Sequence, residues 1–599
     1  MNSGDQRNLN LPLQLSRFLA PALLAWATIK AIWILLKAKY SFVKLHRLKN
    51  HVVICGANKN THSLFEDLIN EERNIIIIDK AIEEPLSNRF KEEGAIVIED
   101  DARSKTVLDK AGVLRCSRLI IMTPNDAMNT EIALTAMNMV KNSGVHSGRT
   151  IDSAIHIVDS RYAELIRKSL DRLVFDNIKL GRSANILQVR TFNLYENSAR
   201  LLFERMPLFK SVDSITSHDA RPVHLLIIGL GHMGENVLLQ AAKIGHFPNQ
   251  ITMKITVVDR EEKEIAFKER YPLIDRAVDV DFKKIDTTTK AFNDLLQEMK
   301  NSITYAVVCL DNDEMAKNTA DKLIHHLPNI PIAVRMTENL LIAEWLEQSM
   351  EEYERVFCFG APQQSASRHA FLNPIIDKMA EANHQVYSFV CSHIKELKKG
   401  EKKLSDLFDS LKQKENVVEE WYKLISFEKS SNHAQAEHIT TKLHAVGLLR
   451  CLEEEIPQDY KKISASEAEN IINEYDKLPD ELLSMTEHTR WNAFYFIDGW
   501  QKMEPMKPPD NDVSKIHKDT KSKNHSCLVD WSQLEDVSNK VSKIRSDILS
   551  EIETKKQGKP VKVKVKVDFK AYDEWHVRSI PYVLDLAGYV VCKKRGAGR

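Results

Sequence analysis

The 599-residue sequence has no surplus of either charge, since 84 Lys and Arg stand against 84 Asp and Glu. Without a basic excess there is no global field to draw in DNA or RNA, so nucleic acid is excluded as the main partner. The eight cysteines are scattered and form no Cys-x-x-Cys pair, which excludes a zinc ribbon and a disulfide framework and fits a reduced compartment. Histidines do not recur with carboxylates at metal-ligand spacing, and no metal site is expected. A Ser-Tyr-x-x-x-Lys set or any other group typical of hydride transfer is also missing, which leaves an NAD-dependent oxidoreductase as an alternative reading and no catalytic residue to name. Runs of apolar residues long enough to cross a bilayer are confined to one stretch, residues 18–36.

What is present centres on residues 223–237, where a β-branched apolar run feeds into Gly229-Leu230-Gly231-His232-Met233-Gly234 and then into helix-compatible sequence. In that context Gly-x-Gly-x-x-Gly means dinucleotide binding. Gly229 permits the tight strand-to-helix turn, Gly231 lets backbone approach a pyrophosphate, and Gly234 lets the helix lie close on the sheet, with phosphates at the helix N-terminus. A second strand, Ile255 to Val258, ends in Asp259, whose carboxylate could accept from ribose hydroxyls. Asp259 comes later than the roughly 20 residues usual for this acid, and the loop 245–253 absorbs the excess. The later strands of this domain read as 305–310, 332–335 and 355–359.

The stretch from His51 repeats the pattern with a damaged fingerprint. Gly56 keeps the first position, but Asn58 and Thr61 occupy the second and third. Strands at 51–55, 75–79, 95–98, 119–122 and 155–158 continue the alternation of a parallel sheet. Gly56, Asp79 and the acidic Asp101 are the corresponding site candidates, and residues 162–209 read as a mostly helical connector. By length the chain should hold about three to five domains. The fold class expected is α/β: two tandem Rossmann-type parallel-sheet domains, preceded by one membrane helix and followed by a helix-rich region.

Residues 18–36 are apolar apart from Thr28 and Lys30, and Lys37, Lys39, Lys44, Arg47 and Lys49 follow. The positive-inside rule places the downstream chain in the cytoplasm if this segment spans; the alternative is an interfacial helix with Trp26 and Trp33 at the boundary. From about Ser365 the sequence is helix-rich with no strand alternation except Val561 to Val567. That run reads as an edge strand guarded by lysines or as a solvated insertion, and Gly558 and Pro560 just before it favour the insertion.

Several stretches carry resemblances. Val52-Val53-Ile54-Cys55-Gly56, Ile77-Ile78-Asp79, Asp101-Ala102-Arg103-Ser104-Lys105 running on to Val113, and Thr123-Pro124-Asn125-Asp126-Ala127-Met128-Asn129 resemble the regulators of potassium conductance (RCK) and the Trk-type uptake regulators. That resemblance implies nucleotide-dependent gating of ion flow without chemical turnover, with NAD(H), ATP or ADP as regulatory ligand. Beyond residue 360, Trp421 to Leu424, Ser431 to Leu443, Glu487-His488-Thr489-Arg490-Trp491, Gly499-Trp500, His525 to Trp531 and Asp573 to Pro581 are similar to the domain first named from repeats in ryanodine receptors (RyR), a binding or interaction module. Arg490, Trp491, Trp500, Trp531 and Arg578 would line a pocket there for a base or phosphate-bearing ligand. The plainer alternative is a packed helix in which Glu487 and Arg490, at i and i+3, pair internally. Asn432, His433 and His438 read as capping or core hydrogen-bonding groups.

The expected domains are 1–48 with the membrane helix at 18–36, a first Rossmann domain with its connector at 49–210, a second at 222–362, and an RyR-like domain at 370–599 with half-motifs at 375–450 and 480–592. The reading that follows is a single-pass, membrane-anchored, nucleotide-sensing regulator of potassium channel or transporter type. An effector triggered by a modified nucleotide in the RyR-like module is the alternative. A homo-oligomer is expected, because one membrane helix per chain cannot enclose a pore. With 17 residues before Phe18 and no Thr-x-Gly-Tyr-Gly filter, the potassium reading needs either further chain upstream or a separate pore subunit.

Overall fold

A computed structural model describes residues 21–30, 48–69, 74–142, 151–159, 187–212, 214–218, 220–336, 355–361, 375–412, 426–477 and 481–596, with isolated positions at 45, 162–163, 165–166, 168–169, 421 and 424. The chain divides into two compact units, Met1–Phe192 and Asn193–Arg599. In the first unit, β1 (Val52–Cys55), β2 (Ile75–Ile78), β3 (Ile96–Ile98), β4 (Arg118–Ile121), β5 (Ile151–His156) and β6 (Leu187–Phe192) form one parallel sheet in the order β3-β2-β1-β4-β5-β6. Helices α1 (Lys59–Ile69), α2 (Glu84–Glu92), α3 (Lys105–Lys110) and α4 (Asp126–Asn142) fall between its strands. Strands β1 and β2 are buried along their whole length, as sheets with both faces covered require, and this is why they read as unbroken runs of Val, Ile and Cys. The expected helical connector is corrected at 187–192, which forms the sixth strand of this sheet.

The second unit opens with α5 (Leu194–Arg205), capped by Asn193, whose side chain accepts from the Tyr195 and Glu196 N–H groups. Strands β7 (His224–Ile228), β8 (Lys254–Asp259), β9 (Asp279–Lys284), β10 (Tyr305–Val308), β11 (Ile332–Arg335) and β12 (Val356–Phe359) pair in parallel as β12-β11-β10-β7-β8-β9. Read from its own first strand, this order is the same as in the first unit, so the chain contains one topology twice. Both reverse direction beside their first strand, the crevice where such sheets hold ligands. Helices α6 (His232–Ile244), α7 (Glu264–Arg270), α8 (Lys290–Met299) and α9 (Asp313–His326) alternate with these strands.

The remainder is mostly helical: α10 (Ile375–Lys399), α11 (Leu404–Lys412), α12 (Ser426–Glu437), α13 (Ile439–Ala445), α14 (Ala465–Asp476), α15 (Leu482–Ile497), α16 (Leu534–Gln557) and α17 (Lys570–Leu586). The expectation of no strands outside 561–567 is corrected. Strands β13 (Leu448–Cys451) and β14 (Tyr460–Ile463) flank the last strand, β18 (Val590–Lys594), in an antiparallel sheet, and β15 (Gln501–Lys502), β16 (Lys518–Asp519) and β17 (Asn524–His525) make a smaller one. Residues 561–567 join neither. They lie extended against α16, where Thr554, Ser550, Ser546 and Ser542 hydroxyls accept from the N–H groups of Val561, Val563, Val565 and Val567 at 2.8–3.0 Å.

Residues 21–30 are helical, with Leu23, Leu24, Trp26 and Ile29 exposed, and the rest of the segment 18–36 lies outside the described residues. Among the described residues no helix is long and apolar enough to cross a membrane. The single-pass span expected from the sequence is therefore without support in the described fold.

A buried ionic cluster fixes the helical region to the second Rossmann fold. Glu487 of α15 is fully buried and accepts from Lys442 at 2.6 Å, from Arg490 at 2.8–3.2 Å and from Gln435 at 2.9 Å. Burial pushes its carboxyl up, but the Arg490 and Lys442 charges outweigh this and hold it well below the usual range. Lys442 donates to His438 Nδ1 at 3.0 Å, which leaves the proton on Nε2 to donate to the His246 carbonyl, 2.8 Å away, just past the C-terminus of α6. Around this bond, Gln240 and Arg200 both donate to Glu437, Gln250 donates to Thr486 at 3.0 Å, and His444 stacks on Phe209 at 4.6 Å.

Burial lowers the pKa of His246 and of His576 to about 4, and drives that of His438 well below its ordinary value. Each is neutral in the fold and titrates near 6.5 when unfolded, so between pH 6.5 and 4 the unfolded chain binds more protons and stability falls with pH. Urea unfolding should show the second unit weakening as pH falls from 7 to 5, by on the order of 2 kcal/mol for each of His246 and His576. Equal midpoints at the two pH values would contradict these neutral histidines.

Candidate functional site

At the end of β7, Gly229 takes φ +90°, and a Cβ there would lie 3.1 Å from the Cys309 carbonyl oxygen and from Leu310. A Cβ on Gly234 would overlap the Gly229 carbonyl oxygen, so this glycine is demanded by the packing of α6 on the turn. Gly231 is different. Its φ of −79° and ψ of −166° suit any residue, and a Cβ would meet only Asp311 Oδ2, 3.9 Å away. Nothing in the fold itself requires glycine there. As N-cap of α6 it also brings no side chain to the first-turn N–H groups.

Asp259, at the end of β8, accepts from the Leu230 N–H at 2.7 Å and from the Glu261 N–H at 2.9 Å. A carboxylate offers about four acceptor positions, so capacity remains for a hydroxyl. Three residues that sequence reasoning missed complete the surroundings. Arg335, at the end of β11, is 9% exposed, donates from Nη1 to Asp311 just beyond β10, and lies 5.7 Å from the Tyr195 ring, while its buried Nε has no hydrogen-bond partner among the described residues. Tyr195 also stacks on His232 of the turn at 5.5 Å. A basic residue at the C-terminal edge of a sheet, opposite a glycine turn, is the one signal that could have found Arg335.

In the first unit the same positions are occupied differently. Gly56 has φ +107°, and a Cβ there would sit 2.8 Å from the Thr123 nitrogen. Asp79 accepts from Ala57 N–H at 2.7 Å and Ala81 N–H at 2.8 Å, matching Asp259. Asn58, however, donates to the Met122 carbonyl at 2.9 Å and accepts from Thr61 N–H at 3.0 Å, and the Thr61 hydroxyl donates to the Gly56 carbonyl at 2.9 Å. This loop satisfies its own polar groups. Asp101 is paired with Arg103, whose hydrogen bonds hold it at about 2. The 123–129 motif is a stitch between strands: Asn129 bonds Thr123 and the His156 carbonyl, and Asp126 accepts from the Val158 and Asp159 N–H groups.

Of the five residues expected to line one pocket in the helical region, the three tryptophans share one aromatic cluster, with Trp491 and Trp500 both against Tyr495 and His525 and with His488 between Trp491 and Trp531, while the two arginines face elsewhere. Arg490 turns inward to Glu487; Trp491 packs on Tyr495 at 4.2 Å and His525 at 5.0 Å; Trp500 stacks on Phe427 at 5.3 Å. Trp531 donates to Glu481 at 2.9 Å, and Arg578 lies over Trp575 at 3.9 Å and pairs with Glu469 at 2.7 Å. Adjacent helix positions diverge by about 100°, so Arg490 and Trp491 serve a charged interior and an aromatic cluster respectively. Asn432 accepts from Asn383 at 2.9 Å, and His433 meets Arg200 at 3.3 Å. Among the described residues no group of three or more His, Cys, Asp or Glu could hold a metal ion. A cavity of about 20 Å³ beside Phe203, Gln240, Phe247 and Glu437 is room for one water and lies toward the other end of α6 from the glycine turn.

The two glycines separate fold from ligand. Gly234→Ala should destabilise the second unit by roughly 1–3 kcal/mol, because a backbone oxygen cannot yield, whereas Gly231→Ala should stay within about 0.5 kcal/mol of the parent. Chemical denaturation of the two variants reads this directly; equal losses would contradict the geometry of the turn.

Residues 52–171 match the TrkA-N domain. The chain is 30% identical over 97 residues to the voltage-gated potassium channel Kch of Escherichia coli (strain K12), a match covering 16% of this chain and 23% of the channel. An uncharacterized protein of Methanothermus fervidus is 28% identical over 96 residues, 16% of this chain and 15% of that protein. The chain thus spans under a quarter of the curated relatives it matches. Among solved structures, GsuK bound to ADP covers 53% of this chain and 68% of its own at 16% identity with a TM-score of 0.36, and the GsuK channel bound to NAD covers 53% and 62% at 13% identity with a TM-score of 0.35. The first unit of this chain carries a TrkA-N domain.

Proposed function

We propose that this chain is a nucleotide-responsive regulator of ion flow, with the second Rossmann fold as its working site. The observation that carries the reading is Gly231, a glycine that the fold does not require, set at the uncapped N-terminus of α6. A pyrophosphate or phosphate there would take up the free first-turn N–H groups, with Arg335 supplying charge through its unpartnered Nε and Asp259 accepting from a ribose. NAD(H), ADP or ATP has that chemistry, and the GsuK structures described as bound to ADP and NAD name the same ligand class. Gly56, Asp79 and Asp101 are assigned no ligand, because Asn58 and Thr61 already fill the first loop.

Bound ligand shifts an equilibrium only by its differential affinity for two states. Helix α6 offers the means, since its N-terminus forms the site and the carbonyl just past its C-terminus is held by His438 of the helical region. We take 49–210, 222–362 and 370–599 as the working domains, the last an RyR-like module that binds a ligand or partner of its own. Residues 18–36 anchor the chain to a membrane, and copies of it assemble around a potassium pore supplied by a separate subunit or by further chain. The TrkA-N domain and the likeness to a potassium channel support the direction of this reading.

The test is thermal unfolding of the full chain with NAD+, NADH, ADP and ATP. A ligand present at 100 times its dissociation constant stabilises the folded state by about 2.7 kcal/mol. At least one of the four should raise the midpoint, and Gly231→Val should abolish that shift while costing the free protein no more than the roughly 1 kcal/mol of a lost N-cap preference. No shift with any of them, or a shift that survives Gly231→Val, would sink the proposal.

A further inference from the structure

The stretch 554–567 contains six lysines and no acidic residue in a chain with no net charge, and the proposed function does not use it. Its second half is held open in an unusual way. Ser538, Ser542, Ser546, Ser550 and Thr554 recur every fourth residue along one face of α16. Each serine hydroxyl from Ser538 to Ser550 donates to the carbonyl four residues back at 2.6–2.7 Å, and the hydroxyls of this row accept the N–H groups of Phe569, Val567, Val565, Val563 and Val561 at 2.8–3.0 Å. Four residues of helix advance about 6.0 Å and two residues of strand about 6.7 Å, so the two rows stay nearly in step. The segment is a strand whose neighbour is a column of hydroxyls.

In an extended chain, N–H and C=O groups of alternate residues face opposite edges. The odd residues spend theirs on α16. Among the described residues, the backbone groups of Lys562, Lys564 and Lys566 have no hydrogen-bond partner, and the three lysine side chains are exposed while the valines between them are half-buried. This is an ordered, unpaired strand edge with a cation at every second residue.

We propose that this edge docks an extended acidic peptide segment of a partner protein, which adds to it as a β-strand. Strand addition satisfies the three free pairs of backbone groups, and acidic residues at alternate positions of the incoming strand repeat at the same spacing as the lysines. A second copy of this chain is a poor occupant, because its own lysines would face these across the pair, and like charges directly opposite are destabilising. A polyanion such as nucleic acid or an anionic bilayer would engage the charges but leave the backbone edge unused.

The test measures fluorescence polarisation of a labelled peptide of roughly eight residues, alternating glutamate and threonine, titrated with the full-length protein. Three comparisons accompany it: the same peptide N-methylated at every second amide so that its pairing edge is blocked, a lysine-for-glutamate peptide, and the triple variant Lys562→Glu, Lys564→Glu, Lys566→Glu. These side chains are exposed and make no contact with the hydroxyl column; circular dichroism checks that the variant folds. Lys564→Pro, which removes an N–H from the open edge and none from the α16 edge, gives a second probe. The expected result is saturable binding of the acidic peptide, at least tenfold weaker with N-methylation, with Lys564→Pro or with charge reversal, and a switch of preference to the lysine peptide in the triple variant. Equal binding of the N-methylated peptide would overturn strand addition. So would the absence of saturable binding, a concentration-dependent dimer lost in the triple variant, or displacement of the peptide only by RNA or anionic vesicles.

Discussion

The bond from His438 to the His246 carbonyl, and the buried charges behind it, carry the architecture of the second unit. Lys442, Glu487 and Arg490 are each no more than 1% exposed, and desolvating three charges is costly unless each finds its partners. They nearly do: Glu487 accepts from three side chains, and Lys442 divides its protons between Glu487 and His438, while one Arg490 nitrogen, Nη1, has no partner among the described residues. Removing one member of such a set costs about 3–5 kcal/mol, because the others remain buried and unpaired. An apolar contact would have held the helical region equally well, but it would not have aimed at one backbone carbonyl. The cluster specifies where α6 ends relative to α13 and α15, and α6, about 20 Å long at 1.5 Å per residue, begins at the glycine turn.

The two Rossmann folds show what duplication preserved and what it released. Strand order, the positive-φ glycine after the first strand, and the aspartate that accepts from the next N–H in the turn are the same in both. The difference that bears on a ligand at the turn comes from two side chains. Asn58 and Thr61 turn the first loop into a closed hydrogen-bonded unit, while Gly231 and Gly234 leave the second with a bare helix start. In the first unit the motif around Asp126 and Asn129 then reads as strand stitching, which serves the sheet whether or not anything binds.

Much of this was legible in the residues. Central strands of a parallel sheet are apolar on both faces, so 52–55, 75–78, 224–228 and 305–308 announced themselves. Strand β9 was missed because it lies at a sheet edge, where Val280 alone is buried and the Asp and Lys around it hide the strand. Strand β6 was missed for a related reason: it reaches its neighbour only after a long connection and carries polar Gln188, Arg190 and Thr191. Of the site, the glycines and Asp259 were found from spacing, but Arg335 was not, since its role depends on the end of β11 lying beside the turn. Of the residues singled out in the helical region, the tryptophans do cluster, but Arg490 and Arg578 pair away from them, because spacing along a helix does not say which neighbour each side meets. The alternation of Val and Lys after residue 560 has the period of a strand, but no periodicity reveals that its partner is a helix.

The central claim is that a nucleotide at the glycine turn is felt in the helical region through α6. Hydrogen exchange followed by mass spectrometry, on the full chain with and without saturating NAD+ or ADP, tests this most directly. The account predicts slower exchange at residues 229–246 and, in the same samples, at 438–445 and 482–497. Protection confined to 224–260, with the helical region unchanged, would contradict it.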